Sequence, residues 1–460
     1  MQYDDFIDKK KLTFNDVGFE PKEISKKLYP FQADITRWAL RKGRACLFEF
    51  CGAGKTFQQL EWARQVLLKT KSPILIVAPL AVAEQTKLEG VKLDVPVNIC
   101  KSQDDIKKGV NITNYERLHK FHAPDFSGVV LDESGILKAF SGTTRNQIID
   151  MFAKTPYKLA CTATPSPNDY MELGNHAEFL GVMTYAEMLS MFFVNDGFEV
   201  RKWRLKRHAE EQKFWKWMCS WSVMLSHPRD LGYEQVGFDL PDLQYFEHKV
   251  PSVIDRPHSG FFTFEANTLD ERRQVRKESI EVRCQKVADL VNATNDQWVI
   301  WCGLNRESEL LTELIKDSVE VIGSQDYDKR LENIMAFTSG KVKRLITKPS
   351  IAGFGMNWQH CHKQAFVGLS DSWEELYQAI RRIWRYGQKY PVEVHIIIEE
   401  REGAVLKNIK RKDAQAQHMM KNMILHTQDL TVQEVKHTRR GNNNYNLIEM
   451  ETPKWMNTSL

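Results

Sequence analysis

Short continuous apolar runs recur along the chain, each followed by a polar turn and then by apolar residues three and four positions apart. In the first half the runs are ACLFEF (Ala45 to Phe50), PILIVAP (Pro73 to Pro79), VNIT (Val110 to Thr113), VVLD (Val129 to Asp132) and KLACTAT (Lys158 to Thr164). In the second they are WVIWC (Trp298 to Cys302), VEVIG (Val319 to Gly323), RLITK (Arg344 to Lys348), QAFVGLS (Gln364 to Ser370) and VEVHIII (Val392 to Ile398). Unbroken rather than alternating hydrophobicity is what a strand requires when helices cover both faces of its sheet. The pattern therefore predicts an α/β fold with two parallel sheets, hence two lobes. From Gly174 to about Ala293 strand signals are few and charged or aromatic residues many, which predicts helices and connectors. The expected organisation is a first lobe over 1–173, a helical insertion and connection over 174–293, a second lobe over 294–400, and a Lys- and Met-rich helical extension over 401–460. That extension ends in the turn-prone RRGNNNYN, Arg439 to Asn446.

The first candidate chemistry stands at the end of the first run, in FEFCGAGKTFQQL (Phe48 to Leu60). It departs from the general phosphate-loop pattern G-x-x-x-x-G-K-[ST], because Glu49 stands where the first glycine is expected. Its context fits: a strand feeds the bend, and Phe57, Leu60, Ala63, Val66 and Leu67 recur at helical spacing after it. Gly52 and Gly54 at the bend let backbone N–H groups turn inward on an anion while the positive end of the next helix points at it. Lys55 would neutralise phosphate charge and Thr56 would place a hydroxyl on Mg²⁺. A second candidate is VVLDES (Val129 to Ser134). It sets two acids at the carboxyl end of a strand, where ligands of open α/β sheets bind. Asp132 can hold Mg²⁺ through its water shell, and Glu133 can orient and deprotonate a water.

Composition adds little beyond limits. The 460 residues carry a formal net charge of +4, which allows a polyanion on one face without requiring one. The eight cysteines show no C-x-x-C pair, a pattern that fits a reducing compartment. The amino-terminal MQYDDFIDKKKLTF has no apolar signal core, and no run approaches the roughly 20 apolar residues that span a bilayer. The expectation is a soluble cytoplasmic protein without a membrane partner.

The second half supplies the most specific pattern, QAIRRIWRYGQ (Gln378 to Gln388), in which Arg382 and Arg385 lie one helical turn apart and can face charge developing on a phosphoryl group. This segment resembles motif VI of the Swi/Snf-related ATPases of helicase superfamily two, and the resemblance covers most of the chain, in a compact form similar to that of bacteriophages and prophages. In that group acidic residues commonly precede G-x-G-K-T, so Glu49 matches it. LYPFQ (Leu28 to Gln32) resembles the adenine-reading element, IVAPLAVAEQ (Ile76 to Gln85) motif Ia and ITNYERL (Ile112 to Leu118) motif Ib. LDESGILK (Leu131 to Lys138) resembles motif II, TATPSPNDYMEL (Thr162 to Leu173) motif III and KPSIAGFGMNW (Lys348 to Trp358) motif V, with DYDKRLENIMAF (Asp326 to Phe337) before it.

The resemblance implies two RecA-like lobes and a DNA-dependent ATPase that translocates on duplex DNA, with ATP and Mg²⁺ as cofactors. Lys55, Asp132, Glu133, Arg382 and Arg385 would be catalytic. Gln32, Gly52, Ala53, Gly54, Lys55, Thr56, Gly355 and Gln378 would surround the nucleotide, and Thr56 and Asp132 the metal. Pro79, Thr113, Ser324 and Ser350 would face duplex or branched DNA. A monomer is expected, in a bacterial host cell, with a nuclease or recombination partner. A strand-separating helicase shares every ATP motif, and a non-catalytic DNA-binding scaffold would not need the intact set. Ser134, Arg381, Trp384 and Pro349 depart from the group's common residues without removing a catalytic group. Recognition segments of chromatin remodellers are not found, so a nucleosome-directed role is not expected.

VRKWRLKRHAEEQKFWKWMCSW (Val200 to Trp221) interleaves basic and aromatic residues. Arg204, Lys206 and Arg207 could hold a nucleic-acid backbone. Phe214, Trp217 and Trp221 have the spacing of a packing stripe. His360, Cys361 and His362 lack a second ligand pair and are read as ordinary structure.

Overall fold

The computed structural model describes residues 17–79, 82–138, 142–166, 169–195, 203–206, 213–234, 237–251, 269–352, 356–370 and 372–437. Each apolar run named above holds a strand. In chain order the strands are β1 (Arg44–Glu49), β2 (Ile74–Ala78), β3 (Val97–Ile99), β4 (Val110–Asn114), β5 (Gly128–Asp132), β6 (Tyr157–Thr162), β7 (Phe193–Asn195), β8 (Trp203–Leu205) and β9 (Ser222–Leu225). There follow β10 (Leu243–Val250), β11 (Trp298–Cys302), β12 (Ser318–Val321), β13 (Arg344–Thr347), β14 (Lys363–Val367) and β15 (Val392–Glu399). The first sheet runs β3-β4-β2-β5-β6-β1-β9 and the second β10-β15-β14-β11-β13-β12, while β7 and β8 form a small hairpin. Every pairing in the two large sheets is parallel.

Alternation within the continuous runs explains why they had to be apolar throughout. Cys46 and Phe48 enter one core while Ala45 and Leu47 enter the core on the opposite face. In the second lobe Val299 and Trp301 face one core, and Trp298, Ile300 and Cys302 the other. With helices on both sides, neither face can carry polar residues without a desolvation cost.

Four strands lie inside 174–293, where mostly helices and connectors were expected: the β7–β8 hairpin, and β9 and β10, which join the two large sheets. β9 closes the first sheet beside β1, and β10 opens the second beside β15. Both escape pattern reading for physical reasons. The four residues of β9 follow the Phe214–Trp221 helix with no turn residue between, so their apolar character merges with the helical stripe. Strand β10 is an edge strand with mostly exposed side chains, LQYFEHKV, and needs no unbroken apolar run. The aromatic stripe is packing: Phe214, Trp215, Trp217 and Trp221 are all buried in the first-lobe core.

The carboxyl-terminal extension is one helix, Gly403–His437. Val405, Leu406 and Ile409 pack in the second lobe, whereas Met423 and Val435 enter the two cores of the first. An ion pair between Lys42 and Glu434 at 3.2 Å and a Trp215–His426 stack at 5.2 Å fix its far end. The helix therefore ties the lobes together. Among the described residues no helix is long and apolar enough to cross a membrane.

Candidate functional site

Strand β1 delivers the chain to a bend whose glycines are required by geometry. Gly52 and Gly54 have φ of 98° and 81°, in the left-handed region. A Cβ on Gly54 would stand 2.3 Å from Gln32 Nε2, and one on Gly52 would stand 2.9 Å from the backbone nitrogen of Tyr386. The Lys55–Thr70 helix starts at once, with Gly54 as its N-cap. Lys55 Nζ donates to the carbonyls of Glu49 and Phe50 at 2.9 and 3.1 Å. Behind the loop, Gln58 Nε2 donates to Glu49 Oε2 at 2.7 Å. Burial raises the Glu49 carboxyl to about 7, although Lys55 and Gln58 oppose the shift.

Motif II follows β5. Gln59 Nε2 donates to Asp132 Oδ1 at 2.6 Å, and burial with the neighbouring Glu133 raises Asp132 to about 6. Glu133 has φ of 51°, a left-handed conformation that a non-glycine residue adopts only where the surroundings impose it. They do so on both sides. The Tyr115 hydroxyl donates to the Asp132 carbonyl at 2.6 Å, and Ser134 Oγ lies 3.1 Å from Nε2 of His176. Burial lowers His176 to about 4, so the imidazole is neutral at physiological pH.

The second lobe adds two cations. Arg382 is buried, with its Nε and Nη2 donating to the backbone and side-chain oxygens of Gln378, each at 3.0 Å. Arg385 Nη1 donates to the Met356 carbonyl at 3.0 Å. Burial and the neighbouring Arg382 lower it to about 10, which leaves it charged at neutral pH. A cleft of about 400 Å³ is lined by Gln32, Gly52, Gly54, Lys55, Thr56, Asp132 and Glu133 from one lobe and by Arg382 and Arg385 from the other. Ala53 sits beneath, its carbonyl accepting from Gln32 Nε2 at 2.7 Å. Gln378 supports Arg382 and does not line the cleft. Gly355 lies outside the described residues.

Three aromatic residues of this cleft were not assigned from sequence. Tyr29, Phe238 and Tyr386 converge, with centroids of Phe238 and Tyr386 at 4.5 Å and the two tyrosine hydroxyls 2.7 Å apart. Tyr29 lies within the segment that resembles the adenine-reading element and Tyr386 within that of motif VI, so membership of the motifs was the available signal. Phe238 has no local signal.

Of the positions implied to face DNA, Pro79 and Ser350 stand on the two sides of an inter-lobe cavity of about 670 Å³ that Tyr115 and Glu133 also line. Lys138 of motif II and Glu374 of the second lobe form an ion pair across it. Thr113 lines a neighbouring groove, but its hydroxyl already donates to the Cys100 carbonyl at 3.0 Å. Ser324 is exposed and lines neither cavity. Lys206 donates to the carbonyls of Ser190 and Met191, and Arg204 sits in β8. Arg207 lies outside the described residues.

A phosphate-loop-like bend and an acidic pair at strand ends of one RecA-like lobe thus face two arginines from the other across one cleft. The motifs resemble those of the Swi/Snf-related ATPases of helicase superfamily two. Residues 282–387 match the helicase conserved C-terminal domain. Two curated relatives, both called DNA annealing helicase and endonuclease ZRANB3, come from Bos taurus and Mus musculus. Each is 26% identical over 173 residues, 34% of this chain and 16% of the relative, so the chain spans a small part of their length. The SWI2/SNF2 ATPase core of Sulfolobus solfataricus in complex with dsDNA is 18% identical, over 91% of this chain and 98% of that one, with a TM-score of 0.41.

Proposed function

We propose that the chain is a DNA-stimulated ATPase that moves along duplex DNA. The observation that supports this reading best is the convergence of Lys55, Thr56, Asp132 and Glu133 with Arg382 and Arg385 on one cleft between the lobes. Mg-ATP is the group that fits: the glycine bend leaves no room for a Cβ, and an ammonium sits on loop carbonyls with a helix amino terminus beside it. Bound there, it would supply the phosphoanhydride bond whose cleavage drives movement.

Lys55 would exchange its two carbonyl partners for phosphate oxygens. Gln32 would meet the adenine edge beside Tyr29 and Phe238, and Thr56 and Asp132 would hold the metal. Glu133, fixed through its neighbours, would orient the attacking water and accept its proton. Arg385, with Arg382 held by Gln378, would stabilise charge on the transferred group only when the lobes are closed, which couples hydrolysis to lobe movement. Pro79 and Ser350 would grip the backbone on opposite lobes. The finer setting, a phage or bacterial cytoplasm with a nuclease or recombination partner, belongs to the same proposal.

Turnover should be measured without nucleic acid and with single-stranded, duplex and branched DNA and RNA, alongside displacement of a third strand from a triplex. Duplex-stimulated hydrolysis and triplex displacement, with hydrolysis lost by orders of magnitude and nucleotide binding retained in Glu133→Gln, is the expected result. Efficient unwinding of a forked duplex without triplex displacement would favour a strand-separating helicase. Wild-type turnover in Glu133→Gln would remove the assigned site.

A further inference from the structure

Three of the aromatic side chains that line the nucleotide cleft come from three separate parts of the chain. Tyr29 is the N-cap of the Pro30–Lys42 helix in the first lobe, Phe238 lies in the connection between the lobes, and Tyr386 belongs to the second lobe. Phe238 is buried, whereas Tyr29 and Tyr386 keep part of their surface open. Backbone fixes Tyr386 on two sides. A Cβ on Gly52 of the phosphate loop would stand 2.9 Å from the Tyr386 nitrogen, and one on Gly237 would stand 3.0 Å from its ring carbon Cε2. Gly237 has φ of 93°, a left-handed bend that carries the connection against this ring. Phe238 then backs the ring, at a centroid separation of 4.5 Å and an interplanar angle of 31°, so no third ring fits between the two. The Tyr386 hydroxyl meets that of Tyr29 at 2.7 Å, with the two rings at 72° to one another.

A packing role explains Phe238 but not the tyrosines, which line open cleft and satisfy their hydroxyls on each other at an exposed position. The same corner holds Gln32. Its Oε1 accepts from the Tyr29 N–H at 2.9 Å and its Nε2 donates to the Ala53 carbonyl at 2.7 Å, so the amide joins Tyr29 to the phosphate loop. One lone pair and one N–H of that amide stay available for the edge of a base. An amide offers nothing to the flat face of a base, which is the larger part of its surface. Aromatic rings do, and a stacked ring accepts that face without any hydrogen bond.

We propose that Tyr386 is a nucleobase-stacking residue supplied by the second lobe, set beside Tyr29 and backed by Phe238, so that closure of the lobes depends on the base as well as on the phosphates. The inference rests on the ATPase reading of the cleft and deepens it. The ligand it names is a nucleoside triphosphate recognised by the face of its base, as distinct from any polyphosphate. Tyr386 directly follows Arg385 in the chain. A base seated on Tyr386 therefore holds the backbone beside the arginine that would meet the transferred group, and loss of the ring is felt in turnover as well as in binding.

The test is a fluorescence titration of the full chain with Mg-etheno-ATP, a fluorescent analogue whose altered amino edge isolates the contribution of stacking. Glu133→Gln serves as the background, so that the ligand is not consumed. Adding Tyr386→Ala should weaken binding by roughly 5- to 150-fold, the loss on truncating a ring beneath a stacked base. Tyr386→Phe keeps the ring and gives up only an exposed hydroxyl contact, so its affinity should stay within about twofold. Tripolyphosphate, which carries no base, should displace the analogue from the Ala variant and from its parent with the same affinity. With Glu133 intact, Tyr386→Ala should also lower kcat at saturating ATP. Unchanged etheno-ATP affinity in the Ala variant overturns the stacking role and leaves the ATPase reading standing. Equal weakening of etheno-ATP and tripolyphosphate overturns it too, because the ring would then only support the phosphate loop. A Phe variant as weak as the Ala variant transfers the effect to the hydroxyl pair and overturns stacking. Unchanged kcat removes the link to lobe closure. A wild-type chain that neither binds nor hydrolyses ATP overturns both readings.

Discussion

Glu49→Gln should raise the stability of the protein by an amount that grows with pH. The wild-type carboxyl is fully buried and raised from 4.5 to about 7, chiefly by desolvation. Its folded state therefore holds a proton that the unfolded chain releases at lower pH. This favours folding below about pH 4.5, and the advantage is lost as pH rises towards 7. That difference corresponds to about 3 kcal/mol above pH 7, and to about 1 kcal/mol near pH 5. A glutamine carries no charge to desolvate and can still accept from Gln58 Nε2, the contact the carboxylate makes now. Its amide also brings a donor to a site where Glu49 Oε1 and Gln58 Oε1 have no partner. Calorimetry of the full chain should show the variant melting higher at about pH 8, by roughly 2 to 4 °C per kcal/mol for a lobe of this size, with most of the gain gone near pH 5. Subtracting wild type from variant at each pH removes the contribution of Asp132, which shifts in the same direction. A gain independent of pH would refute a buried, titrating Glu49 and leave only a packing effect.

Arg385→Ala should spare duplex binding yet lower DNA-stimulated turnover by about 10³ or more, the scale of other arginines that act from a facing lobe; unchanged stimulated turnover would place Arg385 outside the site. Tyr115→Phe keeps the ring but removes the hydroxyl that holds the Asp132 carbonyl. A lost buried hydrogen bond of about 1 to 2 kcal/mol predicts a fall in kcat of roughly 5- to 30-fold with little change in KM for ATP. Equal kcat values would show that Glu133 does not depend on this support.

Much of the fold and the ATP motifs could be read from local pattern because the physical demands there are local. A strand covered on both faces must be apolar at every position, and the runs at β2, β5 and β11 show this in unbroken stretches. A tight anion-binding bend needs glycine at Gly52 and Gly54, and its helix must start at once, so spacing alone marks it. Edge and short strands carry no such constraint, which is why β9 and β10 were hidden in a stretch that reads as helical.

Tertiary structure decided what depends on side chains distant in sequence. Only the folded chain brings Arg385 to the cleft beside the phosphate loop, sets Phe238 against Tyr29 and Tyr386, and holds the residues on either side of Glu133 through Tyr115 and His176. Local sequence determines which backbone conformations are accessible and which faces are buried. The convergence of charges follows from topology, because Coulomb interactions depend on distance in space and not on separation along the chain.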